Sequence, residues 1–409
     1  MASASQTRIL AQSSLVPIKV APSVIDHIDG LLNKAVESGA SDVHIDPSPG
    51  TIRIRFRVDG FLKETVTFPS ALHSELIARL KILACLRTDE HQRPQDGRFR
   101  FVSGEGVEID IRISVMPTHH GENAVLRILV QDLDRFTLTA LGCSRSHRTL
   151  LEKAIAKPHG LILATGPTGS GKTTLLYSLI RMIDAETRSI ITIEDPIEYS
   201  LPGVTQIPAD PAHGLSFANG LRSILRQDPD IVMIGEMRDT ETARLATNAA
   251  LTGHLVFSTL HTNDAASAVP RLLDLGIEPY LTASTLSLIV AQRLVRRLCD
   301  TCRIEHSPDQ AERERIRNWA GTRYPVPESL FRGRGCAECQ GTGYRGRIGI
   351  FEMLAIDETL SGALSLAKDA ELLRSLARER GMLPMSADGM MKAAKGLTTL
   401  DELMRVTYA

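Results

Sequence analysis

Residues 166–174, Gly166-Pro167-Thr168-Gly169-Ser170-Gly171-Lys172-Thr173-Thr174, bring three glycines, a lysine and several hydroxyls together at a spacing suited to holding phosphate. Residues without a Cβ let successive backbone N–H groups converge on phosphate oxygens, and a helix opening at the lysine adds the positive end of its dipole. Lys172 offers a mobile charge to β- and γ-phosphates, and Thr173 a hydroxyl to Mg²⁺. A glycine-rich turn that merely starts a helix is the alternative. The apolar run Leu161–Ala164 before the loop and the helix-like Leu175–Ile180 after it supply the order that phosphate binding requires. ATP and Mg²⁺ are the ligands this stretch calls for.

Two acidic segments follow buried strand patterns. Ser189–Ile193 ends in Glu194-Asp195-Pro196-Ile197-Glu198, and Ile231–Ile234 ends in Gly235-Glu236-Met237-Arg238-Asp239. Parallel α/β sheets place ligands at such C-terminal strand ends, where carboxylates hold Mg²⁺ and orient the attacking water. Gly235 stands where many ATPases of this loop type carry aspartate, so metal coordination falls more on Thr173, phosphate oxygens and water. Glu236 is the first candidate to polarise the water and Glu194 the second, with Lys172 as the third catalytic group. Asp195 and Glu198 join the nucleotide-binding set. His254 and His261 bracket a third strand, Leu255–Leu260; a strand histidine is commonly structural, but a position beside this strand end suits a γ-phosphate sensor. Arg222 and Arg226, four apart, share one helix face just before the second acidic strand.

Cys299-x-x-Cys302 and Cys336-x-x-Cys339 form a second constellation, with residues 303–335 between the pairs. Four thiolates satisfy a closed, tetrahedral, structural Zn²⁺; redox pairs or unligated thiols are the alternatives. The insertion carries Arg313, Arg315 and Arg317 among Glu312 and Glu314, and Arg332, Arg334, Arg345 and Arg347 follow. Such a surface suits an acidic partner or peripheral contact with anionic lipid, or is simply a solvated face.

The chain that must position these groups has 409 residues, 43% of them hydrophobic, which points to several domains. Residues 1–22 lack pattern and form an expected flexible lead-in. An α+β domain over 23–132 begins with the helical spacing of Ile28, Leu31, Leu32 and Ala35. Strand alternation follows at Asp42–Asp46, Ile52–Val58, Arg98–Val102, Val107–Ile113 and Ala124–Leu129, with helical spacing over Ala71–Leu86. Residues 133–149 are expected to link it to a doubly wound α/β core over 150–298. The cysteine element spans 299–347, and a helical region spans 348–409, where Thr399 and Glu402 form a capping box for a last helix. With 47 basic and 48 acidic residues and 4% aromatics, the chain lacks the field and stacking surface of a nucleic-acid motor. The N-terminus has no secretory pattern, and even the apolar stretch Leu281–Ala291 is too short to span a bilayer. The expected location is the cytoplasm.

Taken together, these motifs resemble the secretion ATPase superfamily, with the type II secretion and type IV pilus assembly motors as the nearest branch. The loop 166–173, the box Ile193–Glu198, the stretch Leu225–Asp239 and the histidine box Thr252–Asn263 occur in the superfamily's order. Ala40–Ile45, Arg57–Gly60, Pro94–Arg98 and Ala291–Cys299 extend the likeness over 23–409. The tetracysteine element favours the secretion ATPase or the pilus extension motor over the retraction motor. This resemblance implies a PAS-like N-terminal domain, a RecA-like core and a hexamer, with ATP held between the two domains. It implies that Arg112, Arg127, Arg222 and Arg226 contact or sense the phosphates, a task suited to a permanently charged, multi-donor guanidinium. It also implies inner-membrane platform and docking partners. Type II secretion ATPases commonly carry a further N-terminal docking domain, so the short lead-in implies a truncated chain or a different mode of docking.

Overall fold

A computed structural model describes residues 23–130, 137–320, 325–366 and 370–407. The expected lead-in, 1–22, and positions 131–136 at the expected domain junction lie outside the described residues. The chain divides into two compact units, residues 1–130 and 131–409, each with its own sheet and core.

The first unit is a six-stranded antiparallel sheet flanked by two helices. Its strands are β1 (Ala40–Ser48), β2 (Thr51–Val58), β3 (Phe61–Pro69), β4 (Gln95–Val102), β5 (Glu108–Thr118) and β6 (Gly121–Val130), in the order β3-β2-β1-β6-β5-β4. Alternation decides the faces: Ile52, Ile54 and Phe56 are buried, whereas Thr51 and Arg53 are exposed. The apolar face packs against the helices Val24–Glu37 and His73–Leu83 through Ile28, Leu32, Leu76 and Leu80. Across the polar face, pairing register aligns Arg57, Asp42, Arg127, Arg112 and Arg98 in one row over β2, β1, β6, β5 and β4. Asp59-Gly60 makes a hairpin turn into β3, which sequence alternation does not mark. It is an edge strand with no fully buried residue, so its sequence carries little alternation.

The second unit is built on seven strands. These are β7 (Gly160–Thr165), β8 (Ile190–Glu194), β9 (Thr205–Pro208), β10 (Ile231–Ile234), β11 (Leu255–Leu260), β12 (Leu286–Leu298) and, after the small hairpin β13 (Arg303–His306) and β14 (Leu330–Gly333), β15 (Tyr344–Ala355). The order is β15-β12-β7-β11-β10-β8-β9, parallel except for β12–β15. Both faces are covered, which is why these strands are near-continuous apolar runs. Leu161 and Leu163 enter one hydrophobic cluster, with the helices Phe217–Ile224 and Thr240–Leu251; Ile162 and Ala164 enter another, with Arg145–Ile155 and Lys172–Ile180.

Three expectations change here. The helix Arg145–Ile155, capped by Ser144, occupies part of the expected linker 133–149. The apolar residues 286–291 open the thirteen-residue strand β12, and β15 carries the sheet past Phe351 to Ala355 before the C-terminal helices begin. The last helix, Leu400–Thr407, has half the expected box: Glu402 N donates to Thr399 Oγ1, but the Glu402 carboxylate accepts from Arg296 N and from the Arg296 and Arg405 guanidiniums. No helix of the described residues is long and apolar enough to cross a membrane.

Candidate active site

Parallel register brings the expected groups to one sheet edge. Leu260 of β11 pairs with Thr165 of β7, and Ile234 of β10 with Ser258 of β11, so the phosphate loop, Glu236 and His261 all emerge at C-terminal strand ends. Pro167, Thr168 and Gly169 are exposed, whereas Ser170 and Lys172 are buried. Two glycines are sterically required. A Cβ on Gly166 (φ 148°) would lie 2.5 Å from Gln292 O, and one on Gly171 (φ 89°) 2.7 Å from Gln292 Nε2. Gly171 opens the helix Lys172–Ile180, whose first turn carries Thr173 and Thr174. Lys172 Nζ donates to Gly166 O at 2.8 Å and Pro167 O at 3.1 Å. Burial lowers its pKa, and the nearby Glu236 carboxylate opposes that shift.

The two candidate glutamates occupy different environments. Glu236 follows β10 with its side chain 12% exposed, 2.6 Å from the Arg238 guanidinium and 3.5 Å from His261 Nε2. Burial and the Lys172 charge lower the His261 pKa, which favours a neutral imidazole. Glu194 is 2% exposed, accepting from Tyr177 Oη on one oxygen and from Thr192 Oγ1 (2.6 Å) and Gln206 Nε2 (3.1 Å) on the other. Its carboxylate is committed to holding β8 and β9 against the Lys172 helix. Asp195 is exposed just beyond β8, and Glu198 N donates to Tyr177 Oη.

Three other expected residues of the second unit lie elsewhere in it. His254 precedes β11, and its Nδ1 bonds Ala249 O; this is the N-terminal end of the strand, about 20 Å of chain from His261. The expectation that His254 lies at this site is therefore corrected by strand direction. Arg222 and Arg226 line a cleft of about 390 Å³ with His213 and Asn219, and neither Lys172 nor Glu236 lines it. Arg222 pairs with Glu241, and Arg226 bonds Arg222 O. In the first unit Arg112 and Arg127 are registered partners on β5 and β6, and Arg127 bonds Asp42 at 3.2 Å. Missed by sequence reasoning were Arg238, Tyr177, Gln292 and Arg293, which donates to Asn263 just after His261. One signal for Gln292 was available: it is a polar residue directly following an unbroken buried run.

The four expected cysteines converge. Their Sγ atoms all lie within 4.8 Å of one another, with Cys299–Cys336 and Cys302–Cys339 each at 3.8 Å and Cys336–Cys339 at 3.7 Å. A tetrahedral Zn²⁺ with bonds of about 2.3 Å separates its sulfurs by about 3.8 Å, so the donor set fits zinc. Burial raises the Cys339 thiol, but N–H groups of Cys336 and Gly343 at 3.1 Å bring it down to about 6, favouring thiolate. On the insertion, Arg313 bonds Pro308 O, Arg315 pairs with Asp401 and Arg345 with Glu338, so these charges have partners within the chain.

The family described as "Type II/IV secretion system protein" matches residues 19–405. The chain is similar to the type II secretion system ATPase E of Vibrio cholerae, 44% identical over 392 residues covering 94% of this chain and 75% of that one. It is also similar to the type IV pilus assembly ATPase PilB of Thermus thermophilus, 42% identical over 92% of this chain and 42% of that one. The X-ray structure of the Legionella pneumophila ATPase DotB shares the fold, with a TM-score of 0.68 at 24% identity over 96% of this chain and 97% of that one.

Proposed function

Because the chain belongs to the type II/IV secretion system protein family, we propose that it is a Mg²⁺-dependent ATPase that powers a type II secretion machine. The observation that carries this reading is the convergence of Lys172, Glu236 and His261 on one loop at adjacent parallel strand ends. Lys172 leaves the Gly166 and Pro167 carbonyls for the β- and γ-phosphates. Glu236, oriented by Arg238 and His261, positions and polarises the attacking water, and Glu194 holds the strand beneath. Thr173 and phosphate oxygens would hold Mg²⁺, which would supply positive charge against the phosphates. Arg112, Arg127, Arg222 and Arg226 are assigned to phosphate contacts by family resemblance. The cysteines hold a structural Zn²⁺.

The working assembly is a homo-hexamer at the cytoplasmic face of the inner membrane, held there by platform and docking proteins. Steady-state phosphate release tests the chemistry: Lys172→Ala should abolish turnover while the folded baseline persists, and unchanged turnover removes the loop from the mechanism. Wild-type binding of ATP without phosphate release would instead mark a nucleotide-gated scaffold. Similarity to PilB supports a second reading, a pilus extension motor. Identifying the inner-membrane protein that copurifies with the chain separates the two.

A further inference from the structure

Behind the phosphate loop lies a small set of polar atoms with nothing to bond. Gln292 is 0% exposed, yet neither its Oε1 nor its Nε2 has a hydrogen-bond partner among the described residues. Ser170 Oγ, on the loop itself, is buried in the same condition. These atoms are neighbours of the loop's glycines. Gln292 Nε2 lies 2.7 Å from the position of a Cβ on Gly171, and Ser170 Oγ 2.6 Å from that of a Cβ on Gly166, which also touches Gln292 O. Orphaned buried polar groups are costly, so their clustering at one loop requires a cause.

The cause follows from what Lys172 is bonded to. Its ammonium supplies the donor for Gly166 O and Pro167 O. When the ammonium turns to phosphate, Gly166 O, a buried position, loses that donor, whereas Pro167 O keeps Ser170 N at 3.2 Å. Gln292 Nε2–H and Ser170 Oγ–H are spare donors packed against the same segment, and Gln292 Oε1 is a spare acceptor. The next residue, Arg293, donates to Asn263 two positions beyond His261. Thus β12 touches both the phosphate loop and the chain that follows the histidine.

We propose that Gln292, assisted by Ser170, is a positioning residue that completes the nucleotide-engaged form of the phosphate loop by taking over the hydrogen bond that Lys172 releases at Gly166 O. This rests on the reading of residues 166–173 as the ATP site. Substitution by an apolar side chain of similar size separates this role from a packing role. Removing orphaned polar atoms from a dry core leaves stability unchanged or raised, whereas the engaged loop loses its donors.

The experiment uses the full chain and compares Gln292→Leu, Gln292→Asn, Ser170→Ala and Lys172→Ala. Thermal melting without nucleotide, the melting shift produced by Mg-ATP, and kcat and KM for phosphate release are measured. The expected result for Gln292→Leu is a melting temperature at or above wild type, a reduced ATP-induced shift, and kcat lower by about tenfold or more, a factor that corresponds to losing one hydrogen bond in the engaged state. Gln292→Asn, with its shorter amide, should recover part of kcat, and Ser170→Ala should fall between Asn and wild type. Wild-type kcat and ATP shift in Gln292→Leu overturn the proposal, as does a loss of melting temperature with kcat per folded chain unchanged. Wild-type turnover in Lys172→Ala identifies instead a failure of the underlying ATP-site reading.

Discussion

Glu236 Oε2 and His261 Nε2 stand 3.5 Å apart at the ends of neighbouring parallel strands, one carboxylate and one imidazole beside a single lysine-bearing loop. Glu194, one strand further along the sheet, has no such company; its bonds run to Tyr177, Thr192 and Gln206.

That contrast separates the glutamates by experiment. Glu236→Gln should keep nucleotide affinity, measured with a fluorescent ATP analogue, and lower kcat by about a hundredfold or more, the scale of a lost general base. Glu194→Gln presents an amide N–H₂ to groups that are themselves donating. It should lower stability by about 1–3 kcal/mol in denaturant unfolding. Equal kcat losses without destabilisation of the Glu194 variant would reverse the assignment.

His147 makes part of the second unit's stability depend on pH. The side chain is 3% exposed, neither ring nitrogen has a hydrogen bond among the described residues, and burial lowers its pKa from 6.5 despite Asp388 at 3.9 Å; Lys392 adds to the lowering. Above 6.5 the ring is neutral folded or unfolded and contributes nothing. Below it the unfolded chain takes up a proton that the folded chain resists, so stability falls with pH toward the lowered folded value. His147→Leu should flatten the decline in melting temperature between pH 7 and pH 5; an unaltered slope assigns that decline to other groups.

Glu402 behaves in the opposite sense. Burial raises its carboxyl, but bonds from the Arg405 and Arg296 guanidiniums and from Arg296 N bring it from 4.5 down to about 2. The stabilisation is complete above 4.5 and is lost as pH falls through about 2. Glu402→Gln leaves Arg296 poorly compensated and should cost about 3 kcal/mol. Urea unfolding at neutral pH measures it, and a loss under 1 kcal/mol would show that water compensates the arginines.

For the cysteines, elemental analysis should give one zinc per chain, and Cys299→Ser with Cys302→Ser should give none. Chelation should loosen the insertion, measured as faster amide hydrogen exchange over β13 and β14, while β7, β10 and β11 retain protection. A metal-free wild-type chain with protected β13 and β14 would defeat the metal assignment.

The phosphate loop, both acidic strand ends and the cysteine pairs were legible because each is local, with chemistry set by residues a few positions apart. What was hidden depends on strand direction or on distant partners. His254 and His261 flank one strand almost symmetrically in sequence, yet direction puts only His261 beside Lys172. Glu194 and Glu236 both follow buried runs; Tyr177 and Gln206, remote in sequence, decide that Glu194 is enclosed. Residues 286–298 look like an apolar run yielding to charge, and only pairing with β7 and β15 makes them one strand.

Strand order also governs when this site can exist during synthesis. The loop follows β7, but the neighbours of β7 are β11 and β12, whose residues are translated roughly a hundred positions later. A nascent chain that has emerged only as far as Thr285 contains every residue of the phosphate loop without the strand against which Gly166 and Gly171 pack. The ribosome therefore delivers the nucleotide-binding sequence well before the scaffold that shapes it, and the loop can close only once Gln292 has left the exit tunnel.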